Sequence, residues 1–193
     1  MILAVAGTAS SLPDRLLVRQ ATPADAEALA ALGRAVGGEA EGWLITDRNW
    51  RSPSDERRYL KSLRRYPHAA VFVAEAGGRI VGRLSVARDP HPASHHVADL
   101  GLMVAAGRRR QGVGTALMAE ATAWARGAGV RKLELHVFPH NDAAIALYEK
   151  LGYRREGYRK AHYRRGDGYV DAILMALDLE EKKESESDAP RPL

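Results

Sequence analysis

At 193 residues, with 46% apolar and 27% charged side chains, the chain has the composition of one globular domain whose core needs no covalent staple. It has no cysteine, which removes thiol nucleophiles, thiolate metal sites and disulfides, and no Gly-x-Ser-x-Gly, which leaves serine-hydrolase chemistry without support. The net charge of +5 raises nucleic acid as a ligand, but the basic residues are scattered over 57–65, 108–110 and 154–160 with no interleaved aromatic stripe, so nucleic acid is disfavoured.

Residues 1–7 are apolar but form a short run without a basic start, so no signal peptide is expected. No run approaches the ~18 apolar residues of a membrane span, and the setting reads as cytoplasmic. Residues 16–19 read as a first strand. Thr22-Pro23-Ala24-Asp25 carries helix-start chemistry: a hydroxyl at the N-cap, proline at the first helical position and an acid at the third. Leu29, Leu32 and Val36 supply that helix's buried stripe. Residues 37–51 show no period and hold Trp43, Leu44 and Trp50. Ser52-Pro53-Ser54-Asp55 opens a second helix, with Tyr59, Leu60, Leu63 and Tyr66 expected inward and the arginines outward. Residues 70–75 and 79–86 flank Ala76-Gly77-Gly78 as a hairpin, and 96–104 form the next strand. His91, His95 and His96 lie together beside prolines, but no carboxylate or cysteine at ligand spacing accompanies them, so no metal is expected. Further strands read at 132–137, 158–164 and 169–177, the last two joined by Gly166-Asp167-Gly168. From Glu180 on, the sequence is charged and aperiodic and reads as a mobile tail.

The most informative stretch is Arg108-Arg109-Arg110-Gln111-Gly112-Val113-Gly114-Thr115. It follows an apolar run at 100–104 and opens an apolar-periodic one at 116–126, the pattern of strand, glycine loop and helix. Such a loop points successive backbone N–H groups and the positive end of the helix dipole into one small volume. Gly112 and Gly114 remove the Cβ obstacle to a close ligand, and three arginines can pair with phosphate. A Walker A loop would end in Gly-Lys-Ser/Thr, but Gly114 is followed by Thr115-Ala116. A dinucleotide fingerprint needs a third glycine where Leu117 stands, although Glu134 falls about 20 residues on, where a ribose-binding acid belongs. A third pattern, Arg/Gln-x-x-Gly-x-Gly/Ala, is met in full by Arg109-Arg110-Gln111-Gly112-Val113-Gly114.

A second signature follows in Asn141-Asp142-Ala143-Ala144-Ile145-Ala146-Leu147-Tyr148-Glu149-Lys150-Leu151-Gly152-Tyr153. Asn141 has a structural reading as an N-cap and Gly152 as the residue past a helix end, while Tyr148 shares an apolar face with Ala144, Leu147 and Leu151. With both signatures in order, the chain resembles the GNAT superfamily of N-acetyltransferases over roughly residues 16–178, leaving 1–15 as an N-terminal extension and 179–193 as a tail. The resemblance implies an α/β (α+β mixed) fold: a mixed, mostly antiparallel seven-stranded sheet with a V-shaped splay between strands 4 and 5 and about four flanking helices. The element order β-α-α-β-β-β-α-β-α-β-β agrees with it.

The resemblance also implies acetyl-CoA as co-substrate, with no metal, and direct acetyl transfer to a primary amine within one ternary complex. The pantetheine arm would add to the open edge of strand 4 along the backbone of Leu102, Met103 and Val104. Arg109, Arg110, Gln111, Gly112, Val113, Gly114 and Thr115 would hold the pyrophosphate, and Asn141 would bond the pantetheine. Tyr148 matches the family tyrosine that donates to the departing thiolate, and Asp99 matches the position where several members carry a catalytic glutamate. The shorter Asp99 side chain calls for a bridging water, and its alternative role is to pair a neighbouring arginine. Glu134 and His136 share one strand face and either line the acceptor side or pair. Residues 96–99 and 166–172 resemble a bacterial subgroup that acetylates free L-amino acids. A protein N-terminal or ribosomal-protein amine remains the competing acceptor, a non-catalytic nucleotide- or RNA-binding module is the other class, and a homodimer stays open.

Overall fold

The computed structural model describes residues 15–44 and 50–180, so most of the expected N-terminal extension and of the charged tail lie outside the described residues. Seven strands form one sheet in the order β1-β2-β3-β4-β5-β7-β6. The strands are β1 (Leu17–Gln20), β2 (Ala69–Ala76), β3 (Arg79–Arg88), β4 (Val97–Val104), β5 (Lys132–Val137), β6 (Arg154–Arg165) and β7 (Gly168–Asp178). All neighbours are antiparallel except β4 and β5, the parallel pair at the centre. Four α-helices cover the sheet: α1 (Ala26–Gly37), α2 (Pro53–Leu63), α3 (Val113–Gly127) and α4 (Asp142–Lys150). The expected mixed, mostly antiparallel seven-stranded architecture is therefore observed.

The helix starts follow their local chemistry. Asp25 Oδ2 accepts from the Thr22 N–H at 2.7 Å and from the Thr22 hydroxyl at 3.0 Å, and Arg19 clasps the same carboxylate with two 2.8 Å bonds. Ser52 caps α2 by accepting from the Asp55 N–H, with Pro53 at the first helical position. Two layers then bury the two sheet faces. On one face α3 and α4 pack Leu117, Met118, Ile145 and Tyr148 over Leu84, Leu100, Leu133, Leu135 and Met175. On the other, α1 and α2 pack Leu29 and Leu60 over Val71 and Val73, while Leu32 and Val36 meet Met103.

Differences from the sequence reading are local. Tyr66, expected inward, lies one turn past the end of α2 and is 63% exposed. β6 begins at Arg154, four residues before the expected 158, because the N-terminal half of the strand is strongly charged and carries no alternating apolar signal. α2 is fixed to β3 by a buried ion pair that patterning could not reveal: Glu56 lies 3.5 Å from Arg83 and 3.6 Å from Arg51, and Arg83 stacks over Trp50 at 5.3 Å.

Candidate active site

The parallel pairing of β4 with β5 covers only Val97↔Lys132, Ala98↔Leu133 and Asp99↔Glu134. Beyond Asp99 the two strands part. β4 keeps its other partner, β3, through to Val104, and β5 keeps β7 through to Val137. The closed end is held by the His96 carbonyl, which accepts from the N–H groups of Arg131 and Lys132. The result is a V whose open arms expose unladdered strand edges, and buried or ligand-facing backbone groups demand partners. Leu102, Met103 and Val104 lie on the diverging arm. Their side chains do not fill the gap: Met103 is buried against α1, and Leu102 and Val104 pack with the opposite core.

The glycine loop caps the end of that arm. After Val104 the chain makes a short 3-10 turn, passes Arg110 at φ 61°, and enters α3 through Gly112 at φ 82°. A Cβ on Gly112 would meet nothing within 4 Å, so the glycine serves backbone conformation and leaves open space in front of the helix. Gly114 has the opposite reason. A Cβ there would stand 2.9 Å from Leu147 and 3.6 Å from Leu102, so its absence lets α3, α4 and β4 close on one another behind the gap. The first-turn N–H groups of Val113, Gly114 and Thr115 precede the Ala116 N–H to Gly112 carbonyl bond and point out of the helix. This is a cradle of backbone donors with room for an anion.

The arginine side chains divide their labour. Arg109 is committed: both terminal nitrogens bond Glu39 at 2.7 Å and Nε donates to the Val104 carbonyl at 3.1 Å. It fastens the loop to the segment after α1, leaving only its backbone for a ligand. Arg110 is exposed, and Gln111, also exposed, donates to the Gly107 carbonyl. Asn141 caps α4 by accepting from the Ala144 N–H, which uses Oδ1 and leaves its NH2 group free to donate.

Tyr148 is buried among core residues beside Tyr153, ring centres 5.9 Å apart, and burial pushes its phenol well above the usual value. It stays protonated at every working pH. The hydroxyl of Tyr153 is sealed without a partner, whereas that of Tyr148 is not among the sealed polar atoms.

On the face of the sheet away from α3, Asp99 and Glu134 stand side by side at the fork of the V. Asp99 is pushed up to about 6, by loss of hydration first and by the Glu134 charge second, against the pull of Arg159. The residue still has accessible surface, so this is a recessed carboxylate open to solvent rather than a sealed one. Glu134 is paired with Lys132 at 2.8 Å. Next along β5, His136 Nδ1 is 2.5 Å from the Tyr163 hydroxyl while its Nε2 is buried without a partner. Burial, then the nearby Arg159 and His162, hold that imidazole below its ordinary value, so it is neutral at neutral pH. Arg159, His162 and Tyr163 come from β6 and were not singled out in the sequence, because a strand bulge brings them here.

The segment after α1 bridges both arms. Glu39 holds Arg109 beyond β4, while the Glu41 carbonyl lies 3.1 Å from His140 Nε2 and Trp43 stacks on His140 beyond β5. Arg165 donates to the Gly42 carbonyl and stacks over Phe138. Trp43 thus joins the two arms, with His140 on one side and the Arg109 guanidinium 6.0 Å from its ring on the other. The histidines near 91–96 do other work: His91 caps a 3-10 turn through Nδ1, and His95 packs edge-on against His68. Among the described residues no group of three or more His, Cys, Asp or Glu could hold a metal ion, and no helix is long and apolar enough to cross a membrane.

Known proteins share this sequence family and fold. The acetyltransferase (GNAT) family model matches residues 39–153. L-amino acid N-acetyltransferase AaaT of Escherichia coli (strain K12) is 32% identical over 172 residues, 83% of this chain and 96% of that protein. N-alpha-acetyltransferase RimI of Mycobacterium tuberculosis is 35% identical over 159 residues, 81% of this chain and 89% of its own. The structure of yncA from Salmonella typhimurium, solved with its cofactor acetyl-CoA, superposes with a TM-score of 0.75 at 20% identity over 92% of this chain and 99% of that one, a likeness of fold. The chain belongs to the acetyltransferase (GNAT) family.

Proposed function

We propose that the protein moves the acetyl group of acetyl-CoA directly to the primary amine of a small molecule, with free amino acids as the favoured class. The observation that carries this reading is the end of β4–β5 pairing after Asp99 and Glu134, immediately beside the donor cradle at Gly112. The unladdered edge at Leu102, Met103 and Val104 suits an extended amide-bearing chain, and the N–H groups from Arg110 to Thr115 suit a pyrophosphate. Asn141 can add a side-chain donor. Bound acetyl-CoA supplies the acetyl group as an activated thioester.

The chain's own residues then have defined tasks. Both reactants held in one cleft gain ~7 kcal/mol or more from alignment alone. An acceptor arrives as an ammonium, and the Asp99 carboxylate takes one proton from it, directly or through a water, leaving the nitrogen lone pair for attack. As the C–N bond forms and the C–S bond breaks, the nitrogen's surplus proton passes to solvent and the sulfur gains one. Tyr148, a weak acid because of its burial, acts as a hydrogen-bond donor toward the departing sulfur. Asp99 near 6 is ionised at neutral pH yet far more basic than an ordinary aspartate, as a proton acceptor needs.

A small acceptor is supported by the strap at 39–44, whose bonds to both arms narrow the approach. It is also supported by similarity to the amino acid acetyltransferase over most of both chains. The test is calorimetric titration with acetyl-CoA followed by thiol release over free amino acids, peptides with free N-termini and polyamines. Heat of binding and release with free amino acids are expected. Release with peptides alone would overturn the acceptor class, and no heat, alongside salt-dependent RNA binding, would overturn the whole reading.

A further inference from the structure

Among the described residues some arginines are held by a carboxylate, while others, Arg110 and Arg126 among them, are exposed without one. Arg19, Arg83, Arg109, Arg131 and Arg155 each face a carboxylate within ion-pair distance. Arg159 differs. Among the described residues its one hydrogen-bond contact is a long one, 3.4 Å from Nη1 to His162 Nε2. Its charge is nevertheless felt by Asp99, His136 and Tyr163, the groups that line the acceptor side of the fork.

The backbone around it is built with care. The β6–β7 register jumps from Arg159↔Ala172 to Tyr163↔Val170, so residues 160–162 oppose Asp171 alone. At the crest Ala161 adopts φ 48°, a left-handed conformation that costs a non-glycine residue energy. Asp171 holds the crest, accepting from the Ala161 N–H at 2.7 Å and from the Tyr158 hydroxyl at 2.7 Å. A bulge of this kind re-aims side chains beside a site. Here His162 sits 5.2 Å and Tyr163 5.8 Å, centre to centre, from the His136 ring.

We infer that Arg159, presented by this bulge, receives the α-carboxylate of the acceptor and so makes the enzyme selective for free amino acids over amino acid amides and peptide N-termini. An α-amino acid carries its amine and carboxylate on one carbon, so a cleft that reads it needs a base and an unpaired guanidinium close together. Asp99 and Arg159 supply that pair, and a planar guanidinium matches a carboxylate in a way that no amide or peptide bond can. The inference rests on the acetyltransfer reading above and sharpens its acceptor.

The test uses the full chain at saturating acetyl-CoA, with a panel of L-amino acids and their matching amides, in wild type, Arg159→Ala and Arg159→Lys. Calorimetric titration of the CoA-bound protein with N-acetyl amino acids and N-acetyl amino acid amides gives a readout independent of turnover. Wild type is expected to favour acids over amides by about 10- to 100-fold in kcat/KM, the worth of a charged hydrogen bond. Arg159→Ala should collapse that ratio toward one through KM, and Arg159→Lys should restore part of it, with product binding following the same order. Equal turnover of acids and amides by wild type would overturn the inference, even if a variant fails to fold. So would an acid preference that survives in Arg159→Ala. A protein that binds acetyl-CoA and acetylates amines indiscriminately loses only this inference; one that binds no acetyl-CoA loses the parent reading too.

Discussion

The two sides of the V are built from different materials. The side proposed for acetyl-CoA is mostly backbone: an unladdered strand edge at 102–104, N–H groups from Arg110 to Thr115, and two glycines, one taking the left-handed turn into α3 and one letting α3, α4 and β4 close behind the gap. The side proposed for the acceptor is mostly side chains gathered from distant segments: Asp99, Glu134, His136, Arg159, Tyr163 and Trp43. Backbone recognition constrains spacing and tolerates little change. Side-chain recognition can be rewritten one residue at a time.

Substitutions on the two sides should therefore fail differently. The largest effect is expected from Asp99→Asn, which removes the proton acceptor and should lower kcat/KM by about 10²-fold or more. The wild-type rate should rise with pH through about 6, since below that Asp99 is protonated and cannot accept, and this limb should vanish in the variant. An unchanged pH–rate profile would remove Asp99 from the mechanism. Tyr148→Phe should come next, with kcat reduced about 10- to 100-fold and acetyl-CoA affinity preserved, because the hydroxyl acts only as sulfur departs. Full turnover in that variant would leave Tyr148 a core residue.

Gly112→Ala probes the backbone side. Forcing a Cβ onto φ 82° costs about 1–2 kcal/mol, so the free loop should relax out of that conformation and acetyl-CoA, which must restore it, should bind roughly tenfold more weakly while discrimination among amines stays put. A changed amine profile would mean that the two sides are not separable as described.

The smallest effect lies away from both sides. Arg19 holds Asp25 down to about 2, so the pair stabilises the fold fully above about pH 4 and loses that contribution as pH falls toward 2. Because Arg19 is one-third exposed, solvent screening discounts the gain to about 1–2 kcal/mol. Asp25→Asn should lower the unfolding free energy read from denaturant melts by that much at pH 7, converge with wild type near pH 2, and leave turnover intact.

Legibility in the sequence followed the same division. Caps at Ser52 and Asn141, the turn at Gly77-Gly78 and the glycine loop are local codes, read within a few residues and found in the structure. The splay came through resemblance, and strand pairing that stops after Asp99 bears it out. The resemblance assigns Arg109 to the pyrophosphate loop, and its guanidinium is engaged by Glu39, 70 positions away, a partner no local pattern announces. Arg159, His162 and Tyr163 escaped notice because their convergence depends on a three-residue bulge held by Asp171. Bulges carry no periodic signature. The strongly charged start of β6 hid the strand for the same reason.

The central claim is that backbone amides beside the opened strand grip the coenzyme, and amide hydrogen exchange with and without saturating acetyl-CoA tests it most directly. Protection concentrated at Gln111 to Thr115 and along Leu102 to Val104 is predicted. Binding that leaves both stretches exchanging at their free rates, with protection elsewhere, would contradict it.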